Sequence, residues 1–207
     1  MKITKISQQL KRSDRYSVFV DEKYTFSLSE TALLDSGIAS GRELTAAEVE
    51  NFKQLSHDDK IYGQSLRYIA MRSHTIWEMQ FYMERKGAPP ALIEQILSKL
   101  TEVGLLDDFK YAASFVKDRR LLRSSSRRKI IAELKKKRIS DAAIEAAFAD
   151  SEPSDERQAL REMITRKRRQ TKYQDNDTLM QYLARQGYGY GDIKTALQSD
   201  SDDELYD

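Results

Sequence analysis

The stretch Ser124–Arg138 reads SSSRRKIIAELKKKR, and its reading decides the rest of the chain. At 100° per residue Ile130 and Leu134 fall on one helical face, with Ile131 beside them. Around this apolar ridge stand Arg127, Arg128, Lys129, Lys135, Lys136, Lys137 and Arg138, most of which must point outward, toward a polyanion or toward water. Over 117–138, Lys117, Arg119, Arg120 and Arg123 join them against Asp118 and Glu133 alone: eleven basic residues to two acidic ones, in a chain of formal net charge +2. Such a run marks either a solvated helix face or a polyanion-binding one.

Working outward, the ridge recurs. With Gly87, Arg138 and Gly187 aligned, 51 and 49 residues apart, a large aliphatic side chain falls eight and four residues earlier in each copy. These are Met79 and Met83, Ile130 and Leu134, and Leu179 and Leu183. Six residues later stand Ile93, Ile144 and Ile193, and ten later Leu97, Phe148 and Leu197. Four matched positions in three copies indicate a tandem repeat. Each copy is expected to be a three-helix module that buries its ridge partly against its neighbours. The helices are expected over 61–71, 75–86 and 90–101, then 108–120, 126–137 and 141–150, then 154–169, 176–186 and 192–198. Pro90 sits in a first turn, where its missing N–H costs nothing, and Gly87 and Gly104 stop two helices.

Residues 1–28 alternate as strands do, with Ile3 and Ile6, then Tyr16, Val18 and Val20, then Tyr24, Phe26 and Leu28. Asp21-Glu22-Lys23 is a polar turn, so a β-hairpin or three-stranded meander is expected. A helical patch from Ser29 closes at Gly37, and Thr45-Ala46-Ala47-Glu48 forms a capping box ahead of a helix through Val49, Phe52 and Leu55. The fold class is therefore mainly α: tandem three-helix repeats forming an elongated curved rod, with a small N-terminal extension containing a β-hairpin. The expected domains are a small α/β module over 1–58, repeats over 59–104, 105–152 and 153–198, and an acidic tail over 199–207. That tail holds too little apolar surface to offset the entropy of ordering and is expected to be disordered.

Composition excludes several functions. The 207 residues contain no cysteine, hence no disulfide framework, thiolate metal site or cysteine nucleophile. Hydrophobic content is 40%, charged content 33%, the pI about 8.6 and the mean hydropathy −0.68. The first residues carry no apolar core of signal-peptide length, and no window approaches the roughly 18 apolar residues of a membrane span. A cytoplasmic protein without membrane attachment is expected. The two histidines, His57 and His74, have no metal-ligand spacing, and His74 is read as structural or surface. Asp107 and Asp108 read as the cap and first turn of a helix rather than as metal ligands. Gly187-Tyr188-Gly189-Tyr190-Gly191 lacks the lysine and the preceding strand of a phosphate loop, and reads as a turn between helices whose tyrosines offer a contact patch. No enzyme, metal or cofactor is expected.

Trp77, Phe81 and Tyr82 lie near Arg67, Arg72 and Arg85 and could stack bases. Because Trp77 and Phe81 share a face at i and i+4, as a core pair would, they are assigned to the core. Arg166-Lys167-Arg168-Arg169 ends the first helix of its repeat as Arg119, Arg120 and Arg123 end theirs, which suggests a periodic basic surface. The candidate binding face comprises Arg67, Arg72, Arg119, Arg120, Arg123, Arg127, Arg128, Lys135, Lys136, Lys137, Arg166, Lys167, Arg168 and Arg169.

The run Leu66-Arg67-Tyr68-Ile69-Ala70-Met71-Arg72, followed by Thr75, Glu78-Met79 and Lys86-Gly87, resembles the RecX family of recombinase regulators. So does Gly104-Leu105-Leu106-Asp107-Asp108 with Tyr111-Ala112, Phe115-Val116 and Arg119. The chain departs from the family pattern at Arg138, where a glycine commonly ends the second helix of the middle repeat, and in a divergent third repeat. The resemblance implies a non-enzymatic modulator that binds the RecA filament on single-stranded DNA, lies along its groove and suppresses ATP hydrolysis, strand exchange and coprotease function. It places the chain in DNA repair, recombination and the SOS response. The partners so implied are the RecA filament and single-stranded DNA, with duplex DNA a further ligand, for a monomeric protein. The residues alone leave open a general nucleic-acid-binding helical protein with no dedicated protein partner.

Overall fold

The computed structural model describes residues 1–149 and 153–203. The chain forms two compact units, Met1–Leu106 and Asp107–Asp207.

The first unit opens with strands β1 (Ile3–Gln9), β2 (Arg12–Val20) and β3 (Lys23–Ser29), an antiparallel meander in the order β1-β2-β3. Asp21 and Glu22 both have positive φ, 47° and 67°, which gives the β2–β3 turn the twist that suits a tight hairpin. Alternation sends Val18, Val20, Phe26 and Leu28 inward with Ile3, where they meet Ile38, Leu44 and Val49. Helix α1 (Glu30–Asp35) is capped by Ser29. Helix α2 (Ala46–Met71) begins at the expected capping box, in which Thr45 Oγ1 accepts from the Glu48 amide and the Glu48 carboxylate accepts from the Thr45 amide.

Helix α2 corrects the sequence reading, which breaks the chain near 58. The polar run His57-Asp58-Asp59-Lys60 lies inside one continuous helix of 26 residues. The reason is Asp59, whose carboxylate accepts from the buried Arg15 guanidinium at 2.7 Å and from the Ser29 amide and hydroxyl at 2.9 and 2.5 Å. Ser56 likewise donates to the Ser27 carbonyl at 2.6 Å. The polar run is thus the seam between helix and sheet. Val49 and Phe52 pack against the sheet, whereas Ile61, Leu66 and Ile69 enter the next core.

That core belongs to the first three-helix repeat, completed by α3 (Ile76–Glu84) and α4 (Pro90–Glu102). The second unit carries two more repeats: α5 (Asp108–Arg123), α6 (Arg127–Lys136) and α7 (Asp141–Ala147), then α8 (Pro153–Arg168), α9 (Asn176–Arg185) and α10 (Tyr190–Asp203). Eleven of the twelve matched positions are buried core positions, and Leu97 packs half-buried against its core. Met79, Met83, Ile130, Leu134, Leu179 and Leu183 are all 0% exposed, and Ile93, Ile144 and Ile193 are buried beneath them. Each middle helix begins at a side-chain cap, Thr75, Ser126 or Asp175, in the same phase. Each ends with a left-handed residue, Gly87 (φ 77°), Arg138 (φ 61°) or Gly187 (φ 93°). The following amide, of Ala88, Ile139 or Tyr188, then bonds back to the carbonyl of Met83, Leu134 or Leu183. Arg138 therefore keeps the glycine's conformation and closes its helix with the same bonds.

Helix α10 runs to Asp203, beyond the expected end at 198. Residues 199–203 of the tail expected to be disordered over 199–207 are therefore helical, and its remainder, 204–207, lies outside the described residues.

Candidate functional site: the basic face of the second unit

The serine run that opens the deciding stretch is where repeats two and three join. Ser124, in a left-handed conformation (φ 45°), ends α5, and Ser124, Ser125 and Ser126 are all buried. Ser126 caps α6 by accepting from the Lys129 amide and donates to the Gln186 carbonyl of the third repeat at 2.6 Å. Ser124 Oγ donates to Glu162 at 3.0 Å, and its carbonyl accepts from the Tyr188 hydroxyl at 2.5 Å. The Arg127 amide donates to Glu156, which also holds Arg120 at 2.7 Å. Burial, and then the charge of Glu156, pushes the Tyr188 phenol well above its ordinary value, so it stays a donor across the accessible pH range. Tyr188 is thus a pin between repeats rather than part of a contact patch, and of the two tyrosines in the turn only Tyr190 is exposed.

This joint sorts the basic residues. Arg119 donates to Glu133 at 2.6 Å and lies over the Phe115 ring at 4.3 Å. Arg120 is held by Glu156. Arg166 donates to the Arg123 carbonyl at 2.7 Å, closing the C-terminal end of α5, and Arg168 donates to the Gln174 carbonyl at 2.6 Å. Lys135 meets Asp141 at 3.0 Å with both groups exposed, a contact worth little in water. Arg127 lies over Phe148, Lys137 over Tyr111 and Lys167 over Tyr182. In the first unit, Arg72 is paired with Glu78 at 3.0 Å, and Arg67 is exposed on α2.

Among the described residues Arg67, Arg123, Arg128, Lys136 and Arg169 are exposed and make no ion pair. Sequence reasoning missed two more, Arg157 and Arg161, which lie one turn apart on α8 and line shallow depressions that continue to Arg169. The i, i+4 spacing of Arg157 and Arg161, followed by Arg169, was the available signal. Two rows of uncompensated cations result, Arg128 and Lys136 on α6 and Arg157 and Arg161 on α8 with Arg169 just past its end. Beside the end of α5, Leu121 and Leu122 are 76% and 70% exposed.

The other candidates are structural. Asp107 caps α5 by accepting from the Lys110 amide at 2.9 Å, a bond that lowers its pKa. His74 is buried, bonds the Tyr68 carbonyl through Nε2 at 3.1 Å and rests on the Tyr68 ring. Trp77 and Phe81, assigned to the core from sequence, are instead 39% and 47% exposed, because Met79 and Met83 occupy the inward face of α3. Among the described residues no group of His, Cys, Asp and Glu is placed to hold a metal ion, and no helix is long and apolar enough to cross a membrane.

Comparison with known proteins agrees with this architecture. Residues 1–45 match the regulatory protein RecX N-terminal domain, 62–100 the first three-helix domain of RecX and 107–147 its second. The chain is 31% identical to a regulatory protein RecX of Halalkalibacterium halodurans over 153 residues, 70% of this chain and 56% of that protein. It is 28% identical to that of Bacillus licheniformis over 95% of this chain and 76% of the relative. With that of Lactobacillus delbrueckii subsp. bulgaricus it shares 34% over 72% and 54%. The match thus spans little more than half the length of two of these three relatives. A crystal structure of a regulatory protein RecX superposes with a TM-score of 0.72 at 25% identity, covering 95% of this chain and 98% of the other. A second, of RecX from Lactobacillus salivarius, gives 0.60 at 21% identity over 69% of this chain and 96% of the other, a likeness of fold. With all three family models matched in order along one chain, the protein belongs to the RecX family of regulatory proteins.

Proposed function

We propose that the protein binds the nucleoprotein filament that the RecA recombinase forms on single-stranded DNA and restrains its ATP hydrolysis, strand exchange and coprotease functions. It does so as a cytoplasmic monomer, without catalysis of its own, in DNA repair, recombination and the SOS response. Family membership carries this reading. Two features of the second unit support it. The rows of unpaired cations on α6 and α8 suit a polyanionic partner, since each phosphate neutralised releases condensed counterions. Exposed Leu121 and Leu122 add apolar surface of a kind that a protein-clad filament uses and a bare phosphate backbone does not. Of the residues first grouped as the binding face, Arg67, Arg123, Arg128, Lys136 and Arg169 are the ones free to make such contacts.

The test adds this protein in substoichiometric amounts to recombinase hydrolysing ATP on single-stranded DNA. Inhibition well below one molecule per recombinase monomer is the expected result. The second reading, a nucleic-acid-binding protein without a dedicated partner, rests on the same guanidinium rows, which single-stranded or duplex DNA would also satisfy. It requires inhibition to appear only as the DNA itself becomes saturated.

A further inference from the structure

Helix α3, IWEMQFYME, carries two apolar stripes. Two residues turn a helix by about 200°, so the stripe of Met79 and Met83 and that of Trp77 and Phe81 cannot both face the core. The methionines take it, at 0% exposure. The outward stripe is an ordered ladder. The Trp77 and Phe81 rings lie 5.7 Å apart between centroids and within 13° of parallel. One turn further on, the guanidinium of Arg85 lies 5.9 Å from the Phe81 centroid. Arg85 is exposed and makes no ion pair among the described residues.

We propose that Trp77, Phe81 and Arg85 form a base-stacking site for single-stranded nucleic acid. Parallel exposed rings offer π-faces to unstacked bases of any sequence, and the flanking cation meets the backbone or stacks in turn. A duplex, whose bases are already stacked on one another, cannot use such a platform. A folded protein partner suits it less well: Gln80 donates to Glu84 at 2.9 Å on the same helix, so the rings stand among polar groups rather than in a continuous apolar groove. The site belongs to the first unit and the basic rows to the second, and its action on naked strands does not depend on the proposed regulation of the recombinase.

Trp77 is the only tryptophan in the chain, so its emission reports this site alone. Titrating the full-length protein with oligothymidylate is expected to quench Trp77 fluorescence saturably. An oligomer of equal length and charge whose nucleotides are all abasic is expected to leave it unchanged. Phe81→Ala is expected to weaken oligothymidylate binding roughly 5- to 150-fold, whereas Phe81→Tyr, which keeps the ring, restores it. Both substitutions are at a half-exposed position, and circular dichroism checks that the helices persist. Absence of oligothymidylate binding, binding seen by anisotropy with unchanged Trp77 emission, or equal quenching by the abasic strand overturns the proposal. So does quenching that recombinase elicits without nucleic acid, which would make the ladder a protein contact. None of these results bears on whether the recombinase ATPase is inhibited.

Discussion

The Tyr188 hydroxyl donates to the Ser124 carbonyl at 2.5 Å, joining residues 64 positions apart and tying the third repeat to the loop that opens α6. Both groups are buried, so no water replaces a lost partner. Tyr188→Phe is expected to lower the stability of the second unit by roughly 1 to 3 kcal/mol, the cost of an unsatisfied buried carbonyl. Denaturant unfolding measures it, and a change within a few tenths of a kcal/mol would mean that the joint rests on packing alone.

At Arg138 a side chain occupies a left-handed position that the other two repeats give to glycine. Arg138→Gly is expected to stabilise the protein by roughly 1 kcal/mol, because the steric cost of φ 61° disappears while the helix-closing bonds stay. Gly187→Ala runs the other way. Its φ is 93° and a β-carbon there would come within 2.6 Å of Ser126 Oγ, so the change strains the backbone and displaces the cap of α6 together.

The repeat was legible in the sequence because all but one of the positions that define it are buried, and helical period fixes their phase without reference to anything distant. Period cannot decide between two apolar stripes on one helix, and so the i, i+4 pair Trp77 and Phe81 has the pattern of a core pair although it faces outward. Nor can local sequence see an ion pair made by folding. Arg119 finds Glu133 fourteen residues away and Arg166 closes a helix 43 residues away, and these contacts divide the matched cations from the free ones. The continuous α2 was hidden for the same reason, since the polar run around Asp59 looks like a solvated boundary until folding pairs it with Arg15 across the helix–sheet seam.

The Arg15–Asp59 pair, with side chains 5% and 10% exposed, makes a third prediction. Asp59→Ala strands a buried guanidinium and is expected to cost roughly 3 to 5 kcal/mol. The double substitution Arg15→Met with Asp59→Leu removes both charges and is expected to recover most of that loss. A single substitution as mild as the double one would show that Arg15 reaches water when released.

Burial, followed by the nearby Arg72 charge, holds the His74 pKa below its ordinary value of 6.5, against the opposing pull of Glu78. The unfolded chain therefore binds the proton more tightly than the folded one. His74 makes its full contribution to stability above pH 6.5, and that contribution falls as pH drops through 6.5 toward the lower folded value. His74→Phe, which keeps a ring against Tyr68, is expected to flatten this dependence between about pH 7.5 and 5.5, roughly one pH unit to each side of the ordinary imidazole pKa, as read from denaturation midpoints. Parallel profiles for the two proteins would assign the dependence to other groups.

The central claim is that the unpaired cations of α6 and α8 hold this protein on a recombinase filament. Its most direct measurement compares the wild type with Arg128→Gln, Lys136→Gln, Arg157→Gln, Arg161→Gln and Arg169→Gln combined, in inhibition of single-strand-dependent recombinase ATPase across a salt series. The account predicts an unchanged melting transition, because none of the five is buried or ion-paired. It also predicts inhibition lost at moderate salt and a shallower salt dependence, by about 0.7 in logarithmic slope for each single-strand phosphate contact removed. Full inhibition with the original salt slope would contradict it and return both rows to solvent.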